Sequence, residues 1–289
     1  MAIHTPVHDS GYLFGEGSVR LHPRRVVDPA RIDVPLDKIR EIGQPPAIRG
    51  RAMAEHWSAS LYWRKVSPRL TRRFLAAGLS ADAVTVGVIL TGWMAALSLL
   101  IPSIAGPLLA AVFAQTQMLV DASDGEVARV RGTSGPRGVF LDKIAHYTTE
   151  GLIPITLGAS VAISMGDVLP LALGALLGSM VLMNKLLNDA VHVARGAVGM
   201  PNVPDSHEAR EIGRPMLRLA RKAFNLVPLH RVYHSVEMTH LILIAALVQT
   251  VVGAPVLWWT LIALVAITPF VLAGHFVAIM ASPKLRPIR

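Results

Sequence analysis

Long stretches without charged side chains constrain the fold of this chain more than any other feature of its sequence. The first, residues 83–101, contains nineteen residues and no charge. A helix needs about 20 predominantly apolar residues to cross the hydrocarbon core of a bilayer. Predominantly apolar stretches follow at about 103–121, 139–162, 168–185, 237–253 and 255–280. The stretch 139–162 differs from the others, because it carries Asp142, Lys143, His146 and Glu150. We therefore predict an all-α integral membrane protein with six transmembrane helices.

The overall composition agrees with a membrane protein and excludes several other classes. Charged residues make up 16% of the 289-residue chain and hydrophobic residues 52%, whereas soluble domains carry about 25% charged residues. The chain has no cysteine, so disulfide scaffolds, thiolate metal sites and cysteine nucleophiles are excluded. Disorder of the whole chain is excluded by its apolar content.

The positive charges predict an orientation in the membrane. With the N-terminus in the cytoplasm, all 28 lysines and arginines fall in inner segments or, for Lys143 and Lys185, within spans. The outer connections near 102, at 163–167 and near 254 contain none. This distribution follows the positive-inside rule. Much of the net charge of +9 therefore faces the inner leaflet with its anionic lipid headgroups, so membrane lipids are expected partners and nucleic acid is not.

The sequence divides into three regions. Residues 1–56 form a polar, proline-rich N-terminal extension in the cytoplasm, 57–281 form the membrane domain, and 282–289 form a basic cytoplasmic tail. Within 61–80, bulky apolar residues alternate with basic ones, which predicts an N-terminal amphipathic helix lying along the membrane interface. Residues 208–232 have similar character. For both stretches the alternative is an ordinary solvated basic loop.

Ionisable residues are concentrated around the connection between the second and third spans. Asp121 and Asp124 are three residues apart, and Asp142 and His146 are four apart, so on helices each pair shares one face. Glu150 lies one turn further. Helices joined by a short loop pack antiparallel, which could bring both polar faces together near the inner boundary of the membrane.

The residue types in this region indicate a site for a metal and a diphosphate. Converging carboxylates repel each other unless a hard divalent cation such as Mg²⁺, Mn²⁺ or Ca²⁺ binds them. Arg129 suits phosphate, and small residues permit close approach of a ligand at Gly125, Ala128 and Gly138. Two other interpretations of these residues are possible. They could form a polar seam that joins helices, or the ion pathway of a transporter, which would place the acids nearer the bilayer midplane.

The spacing of these residues resembles the signature of the CDP-alcohol phosphatidyltransferase family. That signature runs D-x2-D-G-x2-A-R, about eight residues, then G-x3-D-x3-D. Seven of its eight fixed positions match here: Asp121, Asp124, Gly125, Ala128, Arg129, Gly138 and Asp142. The resemblance extends over about 57–281. It includes Ser80–Thr85, which is similar to the family's T-P-N-x-x-T element with proline and asparagine replaced.

The resemblance implies a transferase of phospholipid or related phosphodiester biosynthesis. Members move a substituted phosphate from a CDP-linked alcohol, commonly CDP-diacylglycerol, to the hydroxyl of an acceptor alcohol and release CMP. Asp121, Asp124 and Asp142 would then hold Mg²⁺ or Mn²⁺. CDP would be bound by Gly125, Ala128, Arg129 and Gly138, with Thr85 as a weaker candidate. The family also implies a homodimer, and we expect the protein in a bacterial cell membrane.

One position departs from the signature, because His146 stands where the family has its fourth aspartate. A histidine can act as general base for the acceptor hydroxyl, or as a nitrogen ligand to the metal. Glu150 could orient its ring as a carboxylate behind the ligand. The third possibility is a catalytically impaired membrane protein that binds a CDP-alcohol without turnover.

One further cation and a pair of histidines complete the candidate residues. Lys185 in the fourth span could reach a phosphate on the acceptor, or could extend to the membrane interface as an ordinary lysine does. The histidines of the segment HSVEMTH, His234 and His240, do not share one narrow helix face with Glu237. We therefore predict no metal site there.

Overall fold

The computed structural model describes residues 30–46, 62–200, 232–282 and 285. Within these residues the chain forms eight α-helices and no strand. The described residues from Arg31 onward belong to one structural unit. The helices are α1 Leu36–Gly43, α2 Arg64–Ala76, α3 Ala81–Ser98, α4 Ala105–Val130, α5 Pro136–Met165, α6 Leu169–Ala197, α7 Ser235–Val252 and α8 Val256–Ala281.

Six long helices, α3 to α8, cover the six stretches predicted as spans. Four of them, α3, α6, α7 and α8, are long and apolar enough to cross a membrane. The other two, α4 and α5, have 26 and 30 residues but contain the clustered acids and other polar side chains, which lower their hydropathy. The all-helical fold is therefore confirmed for the described residues, with four helices able to cross a membrane, while the count of six spans remains a prediction.

The outward surface of the long helices is apolar. Val251 is 86% exposed, Phe270 78% and Trp259 60%. Extensive exposed apolar surface is unusual on a protein that is surrounded by water. The exposed apolar side chains of the long helices are therefore suited to contact with lipid.

Local sequence explains where several helices begin and end. The Ser80 hydroxyl accepts a hydrogen bond from the Ala83 amide at 3.2 Å and caps the start of α3. Pro136 occupies the first turn of α5, where its missing N–H costs no helical hydrogen bond. Gly166 ends α5 with φ 67°, a left-handed conformation that glycine adopts without a steric penalty.

Small residues let α5 and α6 pack closely. A Cβ atom added at Gly174 would lie 2.8 Å from the Cα of Gly158 on the facing helix. Such small-residue contacts are a common means of bringing membrane helices together. The α5–α6 pair therefore depends on the absence of side chains at this crossing.

The segment preceding the first span packs against the membrane domain. We call residues 31–46 together with α2 the N-terminal collar. The Ile32 amide donates to the Leu75 carbonyl at 3.1 Å, and the Arg72 Nε donates to the Asp33 Oδ1 at 2.8 Å. This hydrogen bond lowers the pKa of the Asp33 carboxyl. Residues 31–46, which the sequence analysis placed in the polar extension 1–56, thus form part of the same unit as the spans.

The predicted interfacial helix corresponds to α2, which begins and ends within 61–80. Its basic side chains at Lys65, Arg69, Arg72 and Arg73 are exposed, whereas Thr71 and Leu75 are buried. The second predicted surface segment, 208–232, lies outside the described residues except for Val232, and most of the tail 282–289 lies outside them too.

Candidate functional site

The candidate site lies where the end of α4 meets the beginning of α5. The loop 131–135 reverses the chain within five residues, and Gly132 in it has φ 64°, which favours glycine. Both helices pack against α3. The polar side chains lie about two to three turns from the loop on each helix, and three of them come together there, as their spacing predicts.

Three potential metal ligands from the two helices converge at this place. One ligand atom each from Asp121, Asp142 and His146 lies within 4.8 Å of the other two. The His146 Nε2 lies 3.1 Å from the Asp121 Oδ1 and 3.5 Å from the Asp142 Oδ1. The side chains are partly exposed: 48% for Asp142, 27% for Asp121 and 19% for His146. The cluster is therefore reachable from outside the helix bundle.

Asp124 stands beside this cluster but has a different immediate partner. The Thr85 hydroxyl of α3 lies 2.9 Å from the Asp124 Oδ2 and 3.0 Å from the Ala81 carbonyl oxygen. Asp124 is 9% exposed and close enough to Asp121 and Asp142 to interact with their charges. Thr85, a predicted CDP-binding residue, is thus in contact with a predicted metal ligand.

The predicted CDP-binding residues line the same end of α4 and α5. A Cβ at Gly125 would lie 3.1 Å from the Arg129 Nη1 and 3.2 Å from its Nη2, so the guanidinium lies directly over this glycine. A Cβ at Gly138 would meet no atom within 4 Å. Ala128 and Arg129 are partly buried in the last turn of α4. At Gly138 a phosphate group could therefore approach the backbone without a side chain in the way.

Glu150 and Lys185 contact each other rather than the metal-ligand cluster. The Lys185 Nζ lies 2.6 Å from the Glu150 Oε2, with side chains 16% and 1% exposed. The His234 Nδ1 lies 3.2 Å from the Glu150 Oε1. Glu150 therefore joins α5 to α6 and to the start of α7. Glu150 was expected to orient the His146 ring one turn away on the same face of α5. Its carboxylate oxygens instead contact Lys185 and His234, which the packing of α6 and the start of α7 brings close.

A second network, not anticipated from the sequence, borders the cluster. Asp189 of α6 accepts hydrogen bonds from Lys143, and from the Tyr147 hydroxyl at 2.6 Å. Lys143 and Tyr147 are the residues that follow Asp142 and His146 in the chain. Their spacing of four residues, equal to that of Asp142 and His146, could have indicated from the sequence that they share a helix face.

The other residue missed from the sequence is Glu126, which lies within the motif but at one of its variable positions. It is 0% exposed and accepts hydrogen bonds from Ser67 Oγ at 2.5 Å, Thr71 Oγ1 at 2.6 Å and Gln44 Nε2 at 2.8 Å. Its position between Gly125 and Arg129 pointed to the site, but nothing in the local sequence indicated its partners.

The ligand cluster suits a divalent cation by its chemistry. Two carboxylates and one imidazole nitrogen from rigid helices can supply three ligands. Oxygen donors favour Mg²⁺ and Mn²⁺, while the imidazole is better suited to Mn²⁺, Fe²⁺ or Zn²⁺ than to Mg²⁺. The residues present therefore fit a metal-dependent site.

Comparison with known proteins identifies the region around this cluster. No curated protein matches the chain. The family model described as CDP-alcohol phosphatidyltransferase matches residues 79–199, which run from the start of α3 to the end of α6 and contain every metal ligand candidate. The resemblance seen in the motif is thereby confirmed for this range, although not for the flanking parts of 57–281. Residues 79–199 form a CDP-alcohol phosphatidyltransferase domain.

Proposed function

We propose that this protein transfers a substituted phosphate from a CDP-linked alcohol, such as CDP-diacylglycerol, to an acceptor alcohol in phospholipid or related phosphodiester synthesis. The observation that supports this most directly is the meeting of Asp121, Asp142 and His146 within 4.8 Å, inside a domain that matches this transferase family.

The reaction exchanges one phosphorus–oxygen bond for another. The acceptor hydroxyl oxygen forms a bond to the phosphorus that carries the donor alcohol. The bond from that phosphorus to the bridging diphosphate oxygen breaks, and CMP leaves with the bond's electron pair. The hydroxyl proton passes to a base. Positioning and charge stabilisation account for most of the catalysis in such phosphoryl transfers.

The residues divide these tasks by position. Asp121, Asp142 and His146 would hold a divalent cation, Mg²⁺ or Mn²⁺, with Asp124 beside them. When bound, the cation would neutralise negative charge on the diphosphate. Arg129 contributes a fixed positive charge over Gly125, and a guanidinium can donate two hydrogen bonds to one phosphate. The open surface at Gly138 leaves room for the nucleotide.

The role of His146 follows from the direction of its ring. The same nitrogen, Nε2, faces both Asp121 and Asp142, which favours a ligand in the cluster. If Nε2 binds the cation, its lone pair is not available to accept the proton of the acceptor hydroxyl. Metal ligand and general base are therefore alternative roles for His146. CMP release by the His146→Ala variant tests whether either role is needed.

We also propose the arrangement in the membrane. The lengths of α4 and α5, 26 and 30 residues, correspond to about 39 and 45 Å at 1.5 Å per residue, enough to cross the bilayer. With six spans, both termini and the site lie on the cytoplasmic side, as the positive charges predict. A homodimer in a bacterial cell membrane remains a proposal from the family.

The test is CMP release by purified protein in detergent or liposomes. The assay supplies CDP-diacylglycerol or a soluble CDP-alcohol, a panel of polyols and their phosphates, and Mg²⁺ or Mn²⁺. We expect CMP release that stops when EDTA removes the cation. The Asp121→Asn variant should lose it, and Asp167→Asn, at an exposed loop carboxylate, serves as control. Release that persists without divalent cation would contradict the proposal.

The alternative is a protein that binds CDP-alcohols without turning them over. It is motivated by the sequence, because His146 stands where the family has its fourth motif aspartate. In that case purified protein would bind CDP in a metal-dependent manner and release no CMP with any donor. An untargeted lipid profile of cells with and without the protein would then show no missing product.

A further inference from the structure

The buried carboxylate of Glu126 joins three parts of the chain that are distant in sequence. Its oxygens accept hydrogen bonds from Gln44, just after α1, and from Ser67 and Thr71 in α2. All four side chains are at most 6% exposed. Gln44 also donates to the Arg64 carbonyl at 2.7 Å. A charged group in such surroundings requires its donors, because a buried carboxylate without them is strongly unfavourable.

The collar and α4 approach each other closely around this carboxylate. A Cβ at Gly43 would lie 3.1 Å from the Glu126 Cγ, so only a residue without a side chain leaves the present spacing unchanged. Immediately before α2, Tyr62 and Trp63 both donate to the Gln115 Oε1 of α4, at 2.9 and 2.8 Å. The collar and the two residues that precede α2 are therefore attached to α4 at two levels.

The same collar contacts the residue that the proposed function assigns to the diphosphate. The Arg129 Nε donates to the Gly43 carbonyl at 2.6 Å. Glu126 and Arg129 are three residues apart on α4, so both face the end of α1. The direction of the guanidinium over Gly125 thus depends on where the collar holds the Gly43 carbonyl.

We propose that Glu126 is a positioning residue that fixes the N-terminal collar on α4, and that the collar in turn holds Arg129 in place for the diphosphate of the donor. This inference rests on the proposed function, because it assumes that Arg129 meets a CDP group. It makes the collar, which lies outside the range matched by the family model, a working part of the nucleotide site.

The experiment compares Thr71→Val with Thr71→Ser in the full-length protein. Valine removes one donor to Glu126 with little change of shape, whereas serine keeps the hydroxyl. Thr239→Val is the matched control, because Thr239 is also 0% exposed but its hydroxyl contacts only carbonyls of its own helix. CDP affinity with Mg²⁺ is measured by titration calorimetry, and amide hydrogen exchange is measured over residues 36–43.

We expect Thr71→Val to weaken CDP binding about tenfold, the loss typical of one hydrogen bond to a charged group, and to speed exchange in α1. Thr71→Ser and Thr239→Val should both bind CDP within about twofold of wild type, a difference too small to represent a lost hydrogen bond. Faster exchange in α1 with unchanged CDP affinity would overturn the inference, since the contact would then be only structural.

Other outcomes are equally decisive. Equal weakening by Thr71→Val and Thr239→Val would overturn the inference, because general destabilisation would explain both. Unchanged exchange and affinity in Thr71→Val would overturn it as well. Wild-type protein that binds no CDP would refute the proposed function, and the inference with it. That outcome is distinguishable because it appears without any variant.

Discussion

The buried ion pair between Lys185 and Glu150 supports a prediction that separates two roles for the lysine. The sequence allowed Lys185 to bind a phosphate on the acceptor, whereas the structure shows its Nζ 2.6 Å from the Glu150 Oε2. If the pair is structural, Lys185→Met should destabilise the protein. If the lysine binds acceptor, the same change should mainly raise the KM for a phosphorylated acceptor.

The expected destabilisation follows from the burial of Glu150. Its side chain is 1% exposed, so the variant leaves a carboxylate without its cation inside the helix bundle. Removing one partner of a buried pair costs about 3–5 kcal/mol. His234 keeps one contact with the carboxylate at 3.2 Å, so we expect a value near the lower end, about 3 kcal/mol.

The assay is unfolding of the purified protein in dodecyl maltoside by increasing SDS, followed by tryptophan fluorescence. A second variant that combines Lys185→Met with Glu150→Leu should regain most of the lost stability, because no charge is then left unpaired. Lys38→Met is the control, since Lys38 and its partner Glu41 are both exposed, and its midpoint should not change. A Lys185→Met protein as stable as wild type would refute the structural role.

Three further predictions concern the metal site and the helix packing. In the same unfolding assay, Mn²⁺ at 100 times its Kd should stabilise wild-type protein by about 2.7 kcal/mol. Asp142→Asn should abolish both this gain in stability and CMP release. An equal gain in the variant would exclude Asp142 as a metal ligand. His146→Asp should retain or raise CMP release, whereas His146→Ala should lower it; unchanged turnover in the alanine variant would show that neither a base nor a ligand is needed there. Gly174→Val should lower the free energy of unfolding by about 1–3 kcal/mol through overpacking at the α5–α6 crossing. The control is Gly196→Val on the same helix, which should show no such packing cost because a Cβ there meets no atom within 4 Å. Similar losses of stability in both variants would refute the packing argument.

Much of the fold could be predicted from local sequence. The predominantly apolar stretches placed all six long helices, because apolar length is a property of contiguous residues. The mixture of basic and bulky residues indicated α2, and the spacing of Asp142 and His146 placed them on one face of α5. The motif and its short connecting loop also predicted that ligands from α4 and α5 would lie near each other.

The partners of individual buried groups could not be predicted in this way. Glu126 is bonded to Gln44 across 82 positions of the chain, and Thr85 to Asp124 across 39. Periodicity shows which face of a helix is polar, but it does not show which neighbouring helix that face will meet. The role expected for Glu150 differed for this reason, because packing against α6 directed it to Lys185.

The sequence alone therefore determined the elements and the local order of the reactive groups, since both depend on helical repeat and on the length of apolar stretches. Tertiary structure decided how the N-terminal collar, α3 and α6 close around those groups. The physical reason is that a buried charge takes whichever donors the packed helices bring within hydrogen-bonding distance, and that choice exists only once the helices have packed.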